Sequence, residues 1–475
     1  MPSNLPVPSP LQPIASDSTS TFSSPKRKIF TATDLEPWFS SRAYADLESF
    51  ALELCHAVEG KRIEEDCFES EITTKTVAFL KQAEAWVDDV PLQTAPQRFG
   101  NKAFRDWLTR VDQHSDDFQK SLLPPNSSSS TTSSPPILAE LSFNFLTSFG
   151  SGPRLDYGTG HELSFLLWLL SLRLLGILGP RDDQAIVLRI FAAYIDLVRK
   201  LQRVFKLEPA GSKGVWGLDD HQHLVYLFGA SQLIDHPSLR PSHILQPRSL
   251  VPLAPSYLLP SSILHIHALK TGPFSEHSPL LHQIASTVPN WSKFENGLWK
   301  MYREEVLAKV PVVQHLRFGG LVRWKNREDG IELPSTGDGK EEDDEEKNEQ
   351  GDESVGLAAP WLKASISNSS TTTTSHAASR RTPYTVSAPG TRIPSQPTAF
   401  APPTLFPSRS ATSNSISSRR TLAEEGGAAA QSSPFGVLGS ATSTQSPSNA
   451  ALQSRQRGPV DRGGGEVVTK APWAK

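Results

Sequence analysis

Four glycines, at positions 150, 152, 158 and 160, bracket Arg154, Asp156 and Tyr157 in the run Ser148–Glu162 (SFGSGPRLDYGTGHE), just ahead of a strongly apolar stretch. A glycine loop feeding a helix N-terminus lets backbone approach a ligand and presents unpaired N–H groups to an anion. Arg154 can fork onto phosphate oxygens and Thr159 can donate a hydroxyl, so the composition is that of a phosphate site. It is not a Walker A loop, because G-x-x-x-x-G-K-[ST] is absent. The structural alternative is a tight turn in which Asp156 or Thr159 caps the next helix and Arg154 pairs with a carboxylate.

Two further segments carry chemistry. In Glu208–Leu233 (EPAGSKGVWGLDDHQHLVYLFGASQL), Gly211, Gly214 and Gly217 flank Trp216, and Asp219, Asp220, His221 and His223 follow at the start of a helical pattern. Adjacent carboxylates suit a hard divalent cation shared with nucleotide phosphates, or else one of them is an N-cap. Zinc fits less well, since His221 and His223 are two apart and cannot share a helix face. An indole between glycines is a platform for proline rings or partner side chains. The third segment joins Gly272–Leu281 (GPFSEHSPLL) to Val288–Arg323. Glu276, His277 and His282 offer acid, base or ligand chemistry, or a structural role, and Gln314, His315 and Arg317 lie in a short extended run after Pro311.

The elements that must position these residues are helical. Phe68–Val87, Lys102–Leu122, Leu138–Phe149, His161–Leu178, Asp183–Phe205, Asp219–Leu233 and Trp291–Val310 each space large apolar residues three and four apart. Asp182 or Asp183 can cap the fifth of these, whose last turns carry Arg199, Lys200 and Arg203 to suit the helix dipole. The stretch Leu163–Leu178 is shorter than the ~20 residues a membrane span needs and contains Arg173, so it predicts a buried helix. Pro241–Pro260 is expected to be extended. The fold class is all-α.

Composition sets the domain limits. Among 475 residues, Gly 30 and Pro 39 with only 37% hydrophobic residues require that part of the chain lie outside any core. Residues 1–28 read as a disordered leader without a secretory signal, residues 29–330 as one helical domain, and residues 331–475 as a disordered tail. That tail opens on Glu341–Glu353, where nine of thirteen side chains are acidic, and continues rich in Ser, Thr, Pro and Arg. The insert Ser127–Pro136 should be a peripheral loop. A formal charge of -3 gives no global basic field for nucleic acid, and no membrane contact is expected. Two cysteines, Cys55 and Cys67, exclude a disulfide scaffold and point to a reducing compartment. Pro25–Lys28 (PKRK) is a basic run of the nuclear-localisation kind.

The runs RFGNKAFRDW (Arg98–Trp107), SGPRLDYGTGHELSF (Ser151–Phe165), EPAGSKGVWGLDDHQHLVYLFGASQL (Glu208–Leu233) and KMYREEVLAKVPVVQHLRFG (Lys300–Gly319) together resemble the phosphotyrosyl phosphatase activator family. These are the activators of serine/threonine protein phosphatase 2A, and the long tail is similar to that of the fungal activator-1 branch. The resemblance covers roughly residues 29–325. It implies a helical fold with core, linker and lid subdomains. It also implies ATP with magnesium, bound at a surface completed by the phosphatase catalytic subunit. Carried over by residue, Arg154, Thr159, Gly160, Gln314 and His315 match nucleotide positions, while the Gly214 carbonyl and Asp220 match magnesium positions. The resemblance further implies peptidyl-prolyl cis–trans isomerase activity on a proline-containing peptide and a peptide-induced homodimer, while the cysteines and the PKRK run point to residence in cytoplasm and nucleus. Isomerisation needs no nucleophile, since its ~18–20 kcal/mol barrier falls once the amide loses resonance. Trp216 with Asp219 or Asp220 is the expected prolyl pocket. The competing expectation is a non-catalytic folding chaperone for the phosphatase.

Overall fold

A helix that is apolar on every face can only be central. Thr159–Leu174 is such an element, with every side chain from His161 to Leu174 buried. The computed structural model describes residues 2–14, 24–123, 136–211 and 213–338. Among these, the helices of nine or more residues are α1 (Arg42–Ala57), α2 (Glu71–Asp89), α3 (Ala103–Leu122), α4 (Pro136–Thr147), α5 (Thr159–Leu174), α6 (Ala192–Phe205), α7 (Leu224–Gln232), α8 (Leu258–Leu269), α9 (Pro279–Thr287) and α10 (Trp291–Tyr302). The expected all-α fold is thus present. No helix among the described residues is long and apolar enough to cross a membrane.

Helix α5 packs on α4 and α1, α7 lies against α1, α8 and α10, and α2 lies along α6. Rings lock the interior. Phe165 stacks on Tyr194 with centroids 3.8 Å apart, and Trp168 meets Phe145 at 4.8 Å. Arg173 does sit inside the apolar helix, where its guanidinium reaches Glu53 at 3.0 Å and Asp183 at 2.9 Å. The expected Asp183–Phe205 helix is continuous, though residues Ile186–Phe191 take the wider π form. Arg199 does not serve the helix dipole as expected. It is buried and donates to the hydroxyls of Ser261 and Ser262.

Only two-residue strands occur among the described residues. β1 (Lys26–Arg27) pairs antiparallel with β4 (Arg317–Phe318), and β2 (Asp156–Tyr157) pairs parallel with β3 (Glu208–Pro209).

Several expectations are corrected. Pro241–Pro260 is not extended: Pro241 and Pro247 open short helices, Pro241–Leu245 and Pro247–Leu250, and Pro260 lies in the first turn of α8. A fixed φ near that of a helix and a missing N–H cost nothing at such positions. The leader is not disordered throughout residues 1–28. Leu5 is buried, Ser3 Oγ donates to Glu295 Oε2 at 2.7 Å, and Ile14 N donates to Leu174 O at 2.7 Å. The domain also runs past residue 330, since Trp324 Nε1 donates to Leu333 O at 3.0 Å and Thr336 Oγ1 to Asp34 Oδ2 at 2.6 Å. The acidic block, the Ser/Thr-rich tail and all of the Ser127–Pro136 insert except Pro136 lie outside the described residues.

Candidate functional site

Arg154 stands at the tip of a turn whose two ends are tied to α6. Tyr194 Oη donates to the Ser148 carbonyl at 2.7 Å and therefore accepts from Tyr157 Oη, 2.8 Å away. Inside the turn, Ser151 N donates to Asp156 O, and Leu155 adopts a left-handed backbone at φ 55°. Gly158 is required by the strand pair. A Cβ there would stand 2.5 Å from the Ala210 carbonyl, so only glycine lets β3 run beside β2. Arg154 Nε donates to Asp156 Oδ2 at 2.8 Å, and the His161 ring stands 3.8 Å from the other carboxylate oxygen. Burial works to raise the Asp156 carboxyl, but its His161 and Arg154 partners outweigh burial and hold it below its ordinary value. The pairing of Arg154 with a carboxylate follows the structural alternative, and its guanidinium is still half-exposed.

Thr159 and Gly160 are the first residues of α5. A Cβ on Gly160 would meet the Val312 carbonyl at 3.6 Å, an ordinary contact, so the helix start abuts the segment that carries Gln314 and His315. Gln314 Oε1 accepts from Arg27 at 3.2 Å, and Gln314 Nε2 lies 3.4 Å from His315 Nε2. Partial burial, then the charges of Arg154, His161, Arg27 and Arg317, push His315 down to about 4. At neutral pH the imidazole is uncharged.

The second segment divides. Asp219 Oδ1 accepts from the N–H groups of His221 and Gln222 at 2.8 and 2.9 Å, and its Oδ2 accepts from Tyr226 Oη at 2.8 Å. Both oxygens are engaged, one within the carboxylate's own turn and the other by a tyrosine of α7. The expected helix from Asp219 accordingly begins only at Leu224. Asp220 points elsewhere, with Oδ2 2.5 Å from Lys270 Nζ. Gly214 has φ 56°, and its carbonyl accepts from Gly217 N at 3.0 Å, closing a one-turn helix that holds Trp216 out with 81% of its surface exposed. That turn rests against α9. His223 is buried, its Nε2 donating to Leu298 O at 3.1 Å, and burial pushes it down to about 4. Among the described residues no group of three or more His, Cys, Asp or Glu side chains could hold a metal ion. A site built from Asp220 and Gly214 therefore needs phosphate and water to complete it.

The Arg154, Thr159, Gly160, Gln314 and His315 set is brought to one place. Glu276, His277 and His282 are not part of it. Glu276 is exposed, and His277 packs with His267 and Phe274. Sequence reading missed two residues. Glu162 accepts from the N–H groups of His223 and Leu224 at 2.8 and 2.9 Å, capping α7 from a distant helix. A buried acid in an otherwise apolar helix was the available signal. Arg27 reaches Gln314 from the N-terminal strand, and nothing local in the sequence announces it.

Known proteins are similar to this chain in sequence and fold. The chain is 39% identical over 363 residues to serine/threonine-protein phosphatase 2A activator 1 of Mycosarcoma maydis, covering 66% of this chain and 72% of that protein. It is 38% identical to the serine/threonine-protein phosphatase 2A activator of Drosophila melanogaster, covering 65% of this chain and 75% of that protein. The crystal structure of the PP2A phosphatase activator Ypa1 superimposes with a TM-score of 0.58 at 35% identity, over 64% of this chain and 96% of that one. The profile of the phosphotyrosyl phosphate activator (PTPA) protein family matches residues 25–324, and the chain belongs to that family.

Proposed function

We propose that this chain activates protein phosphatase 2A by binding its catalytic subunit around a shared ATP and magnesium, with Arg154, Thr159, Gly160, Gln314 and His315 holding the nucleotide. The observation that carries the reading is the meeting of one loop-to-helix segment, from the Arg154 turn to the start of α5, with the Gln314–His315 pair more than 150 residues later. Guanidinium, helix N-terminus and ring N–H are the donors a polyphosphate needs. The names of the relatives support the same partner.

Asp220 and the Gly214 carbonyl fit the magnesium role. Asp220 already holds a cationic group, the Lys270 ammonium, and carboxylate and carbonyl oxygens are the donors a hard divalent cation takes. Magnesium bound there would neutralise phosphate charge between the two proteins. For prolyl isomerisation, Trp216 offers an exposed apolar plate on a glycine-flanked turn, with Asp219 holding the turn and Asp220 nearest the prolyl amide. The peptide would also bridge two copies into the induced dimer. We assign the activator to cytoplasm and nucleus, where the free thiols Cys55 and Cys67 stay reduced. The non-catalytic chaperone reading is favoured by one observation, that both Asp219 oxygens are committed to structure.

The test is co-purification of the full chain with the phosphatase catalytic subunit, with and without ATP–magnesium, followed by a phosphatase assay. Nucleotide-dependent activation that is lost in Arg154→Ala is expected. Full activation by that variant would overturn the shared-nucleotide reading. Activation without any acceleration of Ala-Pro isomerisation would favour the chaperone.

A further inference from the structure

The basic run Pro25–Lys28 is built into the fold. Lys26 and Arg27 form β1, and Lys28 Nζ pairs with Asp338 at 2.9 Å. Arg27 is held on three sides. Its Nε donates to the Ile29 carbonyl at 2.9 Å, its plane lies 4.5 Å from the Phe30 ring centroid, and an Nη donates to Gln314 Oε1 at 3.2 Å.

The last contact decides the orientation of the Gln314 amide. Arginine has only donors, so the amide atom facing it is the oxygen, and the NH2 group must point the other way. That group faces His315 Nε2 at 3.4 Å. An uncharged imidazole has one donor and one acceptor nitrogen, and the nitrogen facing an NH2 group is the acceptor. The proton of His315 then resides on Nδ1. A chain of donors runs from the Arg27 guanidinium to the Gln314 amide to the His315 ring, and ends on an N–H that neither partner uses.

We propose that Arg27 is a positioning residue for the phosphate site, fixing the Gln314 amide and through it the Nδ1–H tautomer of His315, so that both side chains present N–H groups to an anion. The inference rests on the nucleotide reading above for the identity of the anion, while the tautomer follows from the Arg27–Gln314 and Gln314–His315 contacts. Arg27 and Arg154 both bring positive charge to bear on His315.

The experiment is nitrogen-15 NMR of histidine-labelled full-length protein at pH 7, with the His315 signal identified by its absence in His315→Gln. Wild type is expected to show the Nδ1–H pattern. Gln314→Glu keeps a partner for Arg27 but removes the N–H that faced the ring, and should abolish that pattern. Arg27→Ala should mix the two tautomers and raise the ATP–magnesium concentration for half-maximal phosphatase activation by ~10-fold with the maximum retained, as expected for losing one charge-assisted hydrogen bond. Arg27→Lys, which still donates to Gln314, should recover most of the tautomer pattern. An Nε2–H pattern in wild type, or an Arg27→Ala protein with the wild-type pattern, would overturn the proposal. If Arg154→Ala has no effect on nucleotide dependence while the tautomer result holds, the nucleotide reading fails and the positioning role survives.

Discussion

The carboxylate of Glu162 on α5 closes the N-terminus of α7 by accepting from the backbone N–H of His223 at 2.8 Å. Leu224 N donates to the same oxygen at 2.9 Å, and no side chain of the 219–223 turn performs this service for α7. The first and second glycine-rich segments are thereby bolted together beneath their exposed residues.

This bolt carries a pH signature. Burial raises the Glu162 carboxyl from 4.5 to about 7. Between those values the folded protein holds the proton and the unfolded chain has released it, so this group's contribution to stability falls as pH rises from 4.5 to 7 and is level above. Glu162→Gln removes the titration while keeping an acceptor. Its melting temperature relative to wild type should therefore climb between pH 5 and pH 7.5, measured by circular dichroism. A difference independent of pH would contradict the assignment.

Arg173 should be costly to remove. It is buried between Glu53 and Asp183, and burial raises the Asp183 carboxyl to about 6 even with the arginine present. Arg173→Met leaves two acids without their cation and should lose ~3–5 kcal/mol in urea unfolding, of which Asp183→Asn in the same chain should restore part. Equal losses in the single and double variants would show that packing, not charge, is responsible.

Two helical glycines should behave oppositely. A Cβ on Gly229 would lie 2.4 Å from Leu259 N, where α7 crosses the start of α8, so Gly229→Ala should cost ~1–3 kcal/mol. Gly160→Ala meets nothing closer than 3.6 Å and should leave the melting temperature unchanged or raise it slightly. If nucleotide approaches the start of α5, the same substitution should nonetheless weaken ATP-dependent phosphatase activation. A stable and fully responsive Gly160→Ala protein would remove Gly160 from the site.

Trp216 is 81% exposed, so Trp216→Ala should change stability by no more than ~0.5 kcal/mol. Loss of Ala-Pro isomerisation in that stable variant is the expected outcome. Retained isomerisation would move the prolyl site elsewhere.

Helix α5 was legible because an apolar run with one arginine has few other homes. The stripe Tyr44, Leu47, Ala51 and Leu54 signals α1 equally well, yet the charged residues between them hide it. The glycine segments stood out in composition, but their partners did not. Glu162 caps a helix 61 residues ahead, and Arg27 contacts a glutamine 287 residues away, so no local window contains either pair. The folded leader escapes for a related reason: a single buried leucine and a serine hydroxyl make no pattern.

The pairing of β1 with β4 also sets a schedule. Arg27 leaves the ribosome early, and its partner Gln314 is made 287 residues later. At ~5–20 residues per second, the N-terminal strand waits tens of seconds or less with no edge to join. The segment around Gln314 and His315 acquires its geometry only when the two ends of the domain meet. A nascent chain halted before residue 314 would hold most of its helices and none of this clasp, which forms only once nearly all of residues 25–324 have been made.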